Sequence, residues 1–140
     1  MSLYRNAEGY TDKTAGEAMS RIMKEYRQQQ RRRYSEKNRR RIYVASPFAG
    51  DTEKNTEAAI GYCRRVIDEG YMPVASHILY AASGMLKDDD PAERDLGLMF
   101  GLALLRLCDE VWVFGDPSPG MKQEIEEAKR LHKPVKYKEA

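Results

Sequence analysis

The sequence is poor in the residues from which metal and redox centres are built: its 140 residues include two cysteines, two histidines and one tryptophan. Cys63 and Cys108 lie in apolar or helical settings without metal-ligand spacing, and read as two reduced, buried thiols of a cytoplasmic protein. Long apolar runs are also missing. None approaches the roughly 20 residues needed to cross a bilayer, so no membrane partner is expected. The polar N-terminus has no apolar signal-peptide core. There is no internal repeat and no long low-complexity tract. Asp88-Asp89-Asp90 has no further spaced ligands and reads as an exposed loop that caps the next helix rather than a metal site. No metal and no cofactor is implied.

The net charge of +2 hides an asymmetry. Residues 1–41 carry 12 Lys/Arg against 5 Asp/Glu, or +7, and residues 42–140 carry 12 against 17, or −5. A basic arm with linker (1–41) therefore precedes an acidic domain (42–140). Thr14 and Glu17 have the spacing of a capping box, and Ala15, Ala18, Met19, Ile22, Met23 and Tyr26 follow at helical intervals. That predicts a helix to about Tyr34. Arg31-Arg32-Arg33 and Arg39-Arg40-Arg41 make residues 27–41 either a solvated tail or a surface for nucleic-acid phosphates.

From Ile42 the pattern alternates. Ile42–Ala45, Tyr71–Ala75, Glu110–Phe114 and Lys133–Tyr137 read as strands. Asp51 or Thr52 to Glu69, Pro91 to Leu107 and Gly120 to Leu131 read as helices, with Gly70 and Pro91 as end signals. Ser76 to Met85 reads as a loop leading into a helical turn. Strands alternating with helices of this length predict a three-layer α/β domain, Rossmann-like or flavodoxin-like: a parallel sheet with helices on both faces and right-handed connections.

In such sheets ligands sit beyond the carboxyl ends of the strands, which singles out particular residues. Ser46, Pro47 and Phe48 follow strand one, and Tyr43 lies within it. His77 follows strand two. The turn after strand three holds Ser118, Gly120 and Met121 and opens a helix whose free N–H groups favour anions. Glu124 lies just inside that helix and is a candidate nucleophile or base. Asp109 is at the amino end of strand three and reads as structural, and His132 reads as a helix C-terminal residue.

Taken in order, Ile42-Tyr43-Val44-Ala45-Ser46-Pro47-Phe48, then Cys108-Asp109-Glu110-Val111-Trp112-Val113, Pro117-Ser118-Pro119-Gly120, Glu124 and Lys133-Pro134-Val135 resemble the nucleoside 2-deoxyribosyltransferase-like superfamily. That superfamily includes N-glycoside hydrolases of nucleoside 5′-monophosphates. The likeness spans about residues 42–137 and extends to an uncharacterised, phage-associated branch. It implies that Glu124 attacks the anomeric carbon to form a glycosyl ester, as in retaining glycosidases. It implies that Tyr43 contacts sugar or nucleophile. Ser118, six residues before Glu124, matches the phosphate-holding serine of the monophosphate hydrolases. The implied partners are a nucleotide or nucleoside and a homo-oligomer, with the apolar helix carrying Leu98, Met99, Phe100, Leu102, Leu104 and Leu105 as a plausible interface.

One position departs from the pattern. Where the superfamily carries a further aspartate, eight residues before Asp109, this chain has Gly101. A second acid would come from Asp95, Glu93 or a neighbouring subunit. The alternatives are a nucleotide-binding module that has lost turnover, or a phage adaptor that binds nucleic acid through the basic arm.

Overall fold

The computed structural model describes residues 13–33 and 39–140. The chain divides into two compact units, Met1–Asn38 and Arg39–Ala140. In the first, helix α1 runs Lys13–Arg33. Thr14 lies inside this helix rather than ahead of it, so the expected capping box does not form at Thr14; the helix start falls next to residues outside the described ones. Met19, Ile22, Met23 and Tyr26 share one side of α1 and are exposed. Tyr34 and most of the expected basic linker lie outside the described residues.

The second unit contains β1 (Arg41–Ala45), α2 (Thr52–Asp68), β2 (Met72–Val74), one π-helical turn (Ile78–Ala82), α3 (Pro91–Arg106), β3 (Glu110–Phe114), α4 (Pro119–Arg130) and β4 (Val135–Lys138). The four strands form one parallel sheet in the order β2-β1-β3-β4. This is the expected α/β architecture, with the strand order of the flavodoxin-like class over these four strands.

Period-two alternation in β1 and β3 splits the core into two layers. Ile42, Val44, Trp112 and Phe114 pack with Val66 of α2 on one face. Tyr43, Ala45, Val111 and Val113 pack with Leu105 of α3 and with Met121, Ile125 and Ala128 of α4 on the other. Both central strands are apolar in nearly every position because helices cover them on both sides. Edge strand β2 accommodates Pro73, and edge strand β4 carries Lys136 and Lys138.

Polar residues fix the ends of the elements. Asp51 caps α2, Asp90 caps α3 and Ser118 caps α4. The Asp109 carboxylate accepts from the Arg41 N–H at 2.7 Å, tying β3 to β1 at the edge opposite the site. That is the structural role expected of it. Lys133 Nζ donates to the carbonyls of Arg106 and Cys108, closing the end of α3. The last strand therefore begins at Val135 rather than Lys133: Lys133 serves α3, and Pro134 has no N–H to give to a ladder. Likewise α4 begins at Pro119, one residue before the expected Gly120, because Ser118 caps it and proline suits the first helical position.

Candidate functional site

The site lies where the strand order reverses. The chain leaves β1 toward β2 on one side and leaves β3 toward β4 on the other, which opens a crevice past the carboxyl ends of β1 and β3. A cleft of about 320 Å³ occupies it, near the lower end of volumes typical of small-molecule sites. Ser46, Phe48 and Ala49 after β1, Ser76 and His77 after β2, and Ser118, Gly120, Met121 and Glu124 of α4 and its cap line the cleft. The loop before α3 and its first turns complete the wall, with Lys87, Asp88, Glu93, Arg94 and Gly97.

Glu124 is held from below. Tyr43, 1% exposed, points toward the α3/α4 face, and its hydroxyl donates to Glu124 Oε1 at 2.9 Å. The same hydroxyl lies 2.7 Å from Ser76 Oγ. Burial pushes the Glu124 carboxyl up to about 7, and the Tyr43 bond pulls the other way without cancelling it. Burial, the neighbouring Glu124 charge and the bond to Glu124 push the Tyr43 phenol well above its ordinary range, against the Ser76 bond, so it stays a neutral donor. His77 Nε2 is 3.1 Å from Ser46 Oγ, and its ring lies tilted beside Phe48 with centroids 6.1 Å apart. Burial lowers His77 to about 4, so the imidazole is neutral at pH 7. A half-buried carboxylate poised near neutrality and a neutral imidazole lining the same cleft suit nucleophilic or acid–base work.

Ser118 accepts from the Met121 N–H at 3.3 Å as the helix cap, and it lines the cleft. Gly120 carries one of the unpaired N–H groups of the first turn. Pro47 is placed differently from its neighbours. It is not among the cleft-lining residues, and its ring lies where a Cβ on Gly115, a left-handed residue with φ 77°, would meet it at 3.4 Å. Of the acids considered for a second carboxylate, Glu93 lines the cleft and Asp95 does not. Glu93 is partly engaged, because its Oε2 accepts from the Lys87 N–H at 2.6 Å. Among the described residues, no group of three His, Cys, Asp or Glu is arranged to hold a metal, and no helix is long and apolar enough to cross a membrane.

Gly101 has the least room of the described glycines. A Cβ there would lie 2.9 Å from Ser76 Oγ, 2.9 Å from the Tyr43 hydroxyl and 3.6 Å from Glu124 Oε1. Two hydroxyls thus fill the space that a larger residue 101 would need.

Residues 40–138 match a protein-family model. The chain belongs to the family Domain of unknown function (DUF7768). No curated protein matches the chain. A solved structure similar to this DUF7768 member is that of the 2-deoxyribosyltransferase from the psychrotolerant bacterium Bacillus psychrosaccharolyticus, described as a biocatalyst for the industrial synthesis of antiviral and antitumoral nucleosides. The match has 18% identity and a TM-score of 0.52, and covers 71% of this chain and 72% of that chain. At that identity it establishes a shared fold.

In this DUF7768 domain the sequence alone places Ser76 in a loop and reads Asp88-Asp89-Asp90 as an exposed loop capping the next helix, a cap that Asp90 provides. The structure brings Ser76 to Tyr43 and puts Asp88, Lys87 and Arg94 in the cleft wall. The one signal for Ser76 was its place at the end of strand two, directly before His77.

Proposed function

We propose that this protein cleaves the N-glycosidic bond of a nucleoside or nucleotide, by hydrolysis or transfer, with Glu124 as the nucleophile. The observation that carries the reading is the Glu124 carboxylate on the wall of the switch-point cleft, held by Tyr43 through one oxygen only. Oε2 is then the oxygen that attacks C1′ of the sugar as the C1′–N bond breaks. The electron pair leaves with the base, which takes a proton, and the sugar is trapped as a glycosyl ester of Glu124. Water or an acceptor base then attacks C1′ and frees the carboxylate. Phe48 and the neutral His77 offer an aromatic and hydrogen-bonding contact, while Ser118 and the Gly120 N–H suit a 5′-phosphate. Completion of the site by a second copy belongs to the same reading. Its support is the exposure of Leu96 and Met99 on α3, the helix that forms one wall of the cleft.

Gly101 favours a second reading, a binding module without turnover. No carboxylate fits at that position while Ser76 and Tyr43 stay in place, so protonation of the leaving base falls to Asp88, Glu93 or solvent. Base release from a panel of nucleosides and their 5′-monophosphates, by the wild type and by Glu124→Ala, separates the two. Release that falls at least 100-fold in the variant is expected. Tight monophosphate binding without release would establish the binding module, and neither binding nor release would reject both.

A further inference from the structure

We propose that Ser76 is a positioning residue for Glu124, acting only through Tyr43, and that Gly101 is the glycine this contact requires. The reading rests on Glu124 as the functional carboxylate. The phenol of Tyr43 has a single proton and sits between two acceptors, Ser76 Oγ at 2.7 Å and Glu124 Oε1 at 2.9 Å. An ionised carboxylate has no proton to give, so when Glu124 is charged the order is fixed: Ser76 donates to Tyr43, and Tyr43 donates to Glu124. Each donation polarises the next hydroxyl, so the Ser76 bond strengthens the one that stabilises the carboxylate. Ser76 is 6% exposed on the cleft wall.

Gly101 supports this from a separate element. Tyr43 is fixed in the core of β1, and Ser76 follows β2. The α3 backbone passes so close to both that a Cβ would lie 2.9 Å from each oxygen. The oxygen of Tyr43 ends a rigid ring packed in the core, so an alanine would displace Ser76 or tilt the ring, and either breaks the 2.7 Å contact. Other titratable and charged groups share the cleft: His77 after β2, Lys87 and Asp88 before α3, and Glu93 and Arg94 in its first turn. The position of Glu124 on the pH scale is nevertheless set by burial and by the Tyr43 bond. Ser76 contacts Tyr43 and Tyr43 contacts Glu124, so its route to the carboxylate runs through the phenol.

The test follows the Glu124 side-chain carboxyl by carbon NMR in the full chain, taking as its signal the resonance that Glu124→Gln removes. Ser76→Ala is expected to raise the titration midpoint by roughly 0.3 to 0.6, the size of a cooperative weakening of one charge-assisted bond. The same substitution on a Tyr43→Phe background is expected to do nothing more, because the intermediary is gone. Gly101→Ala, which breaks the contact from the other side, is expected to reproduce the rise, and it carries the test should Ser76→Ala fail to fold. An unchanged or lowered midpoint, or an equal rise on the Tyr43→Phe background, would overturn the proposal. Because this readout needs no substrate, it stands apart from base release. If the wild type releases no base, the function is wrong and the titration still decides Ser76; if Ser76 proves silent, base release still decides the function.

Discussion

Removing one oxygen atom, in Tyr43→Phe, tests how the site is tuned. The ring stays, so the β1 core keeps its packing, and two contacts are lost: 2.9 Å to Glu124 and 2.7 Å to Ser76. A hydrogen bond to a charged group is worth about 1.5–3 kcal/mol, so its loss raises the Glu124 carboxyl from about 7 by about one pH unit at the lower figure. At pH 7 the ionised fraction then drops from about one half to about one tenth. A nucleophile that must be ionised loses about fivefold in rate at pH 7 from this cause and regains it near pH 9. Folding stability is expected to fall by about 1–2 kcal/mol, since buried Ser76 loses a partner. The assays are the Glu124 carboxyl titration and the pH dependence of base release. A midpoint that stays at 7 or drops would refute the tuning argument. A rate loss that high pH does not recover would show that the hydroxyl acts on the substrate instead.

Glu124 and His77 make opposite contributions to stability against pH. Glu124 is raised in the fold, from 4.5 to about 7, so the folded state holds its proton longer than the unfolded chain; this stability is complete below 4.5 and is lost as pH rises to 7. Glu124→Gln is therefore expected to be more stable than the wild type by up to about 3 kcal/mol at pH 8 and by little at pH 4, measured by denaturant unfolding. A pH-independent difference would contradict the burial argument. His77 is lowered from 6.5 to about 4, so its contribution is complete above 6.5 and is lost as pH falls to 4. His77→Asn should flatten the acid side of the stability curve over that window, and an unaltered acid limb would show that His77 is not the group that titrates there.

Much of this arrangement was legible in the amino-acid order. Ile42–Ala45 and Val111–Phe114 are apolar throughout, a pattern suited to strands covered on both faces, so the parallel α/β sheet follows from them. Asp51, Asp90 and Ser118 cap helices because their short oxygen side chains reach the first free N–H groups, a local interaction that sequence encodes directly. Glu124 was identifiable because its distance from Ser118 and Gly120 is a distance along one helix turn and its cap.

Contacts between elements far apart in the chain were not legible. Tyr43 and Glu124 are 81 residues apart and Tyr43 and Ser76 are 33 apart; only strand register and helix placement make them neighbours. Gly101 looked like a missing acid in the sequence, whereas in the fold it is a space already taken by two hydroxyls. Pro47, adjacent in sequence to cleft residues Ser46 and Phe48, turns toward Gly115 because successive residues leaving a strand point to opposite sides. Asp88 lies in the cleft wall, and its carbonyl accepts from Arg94 at 2.6 and 3.0 Å across the start of α3. Sequence determined the elements and their order and singled out the candidate carboxylate; the tertiary structure decided what that carboxylate touches, since hydrogen-bond partners depend on three-dimensional distance and not on position in the chain.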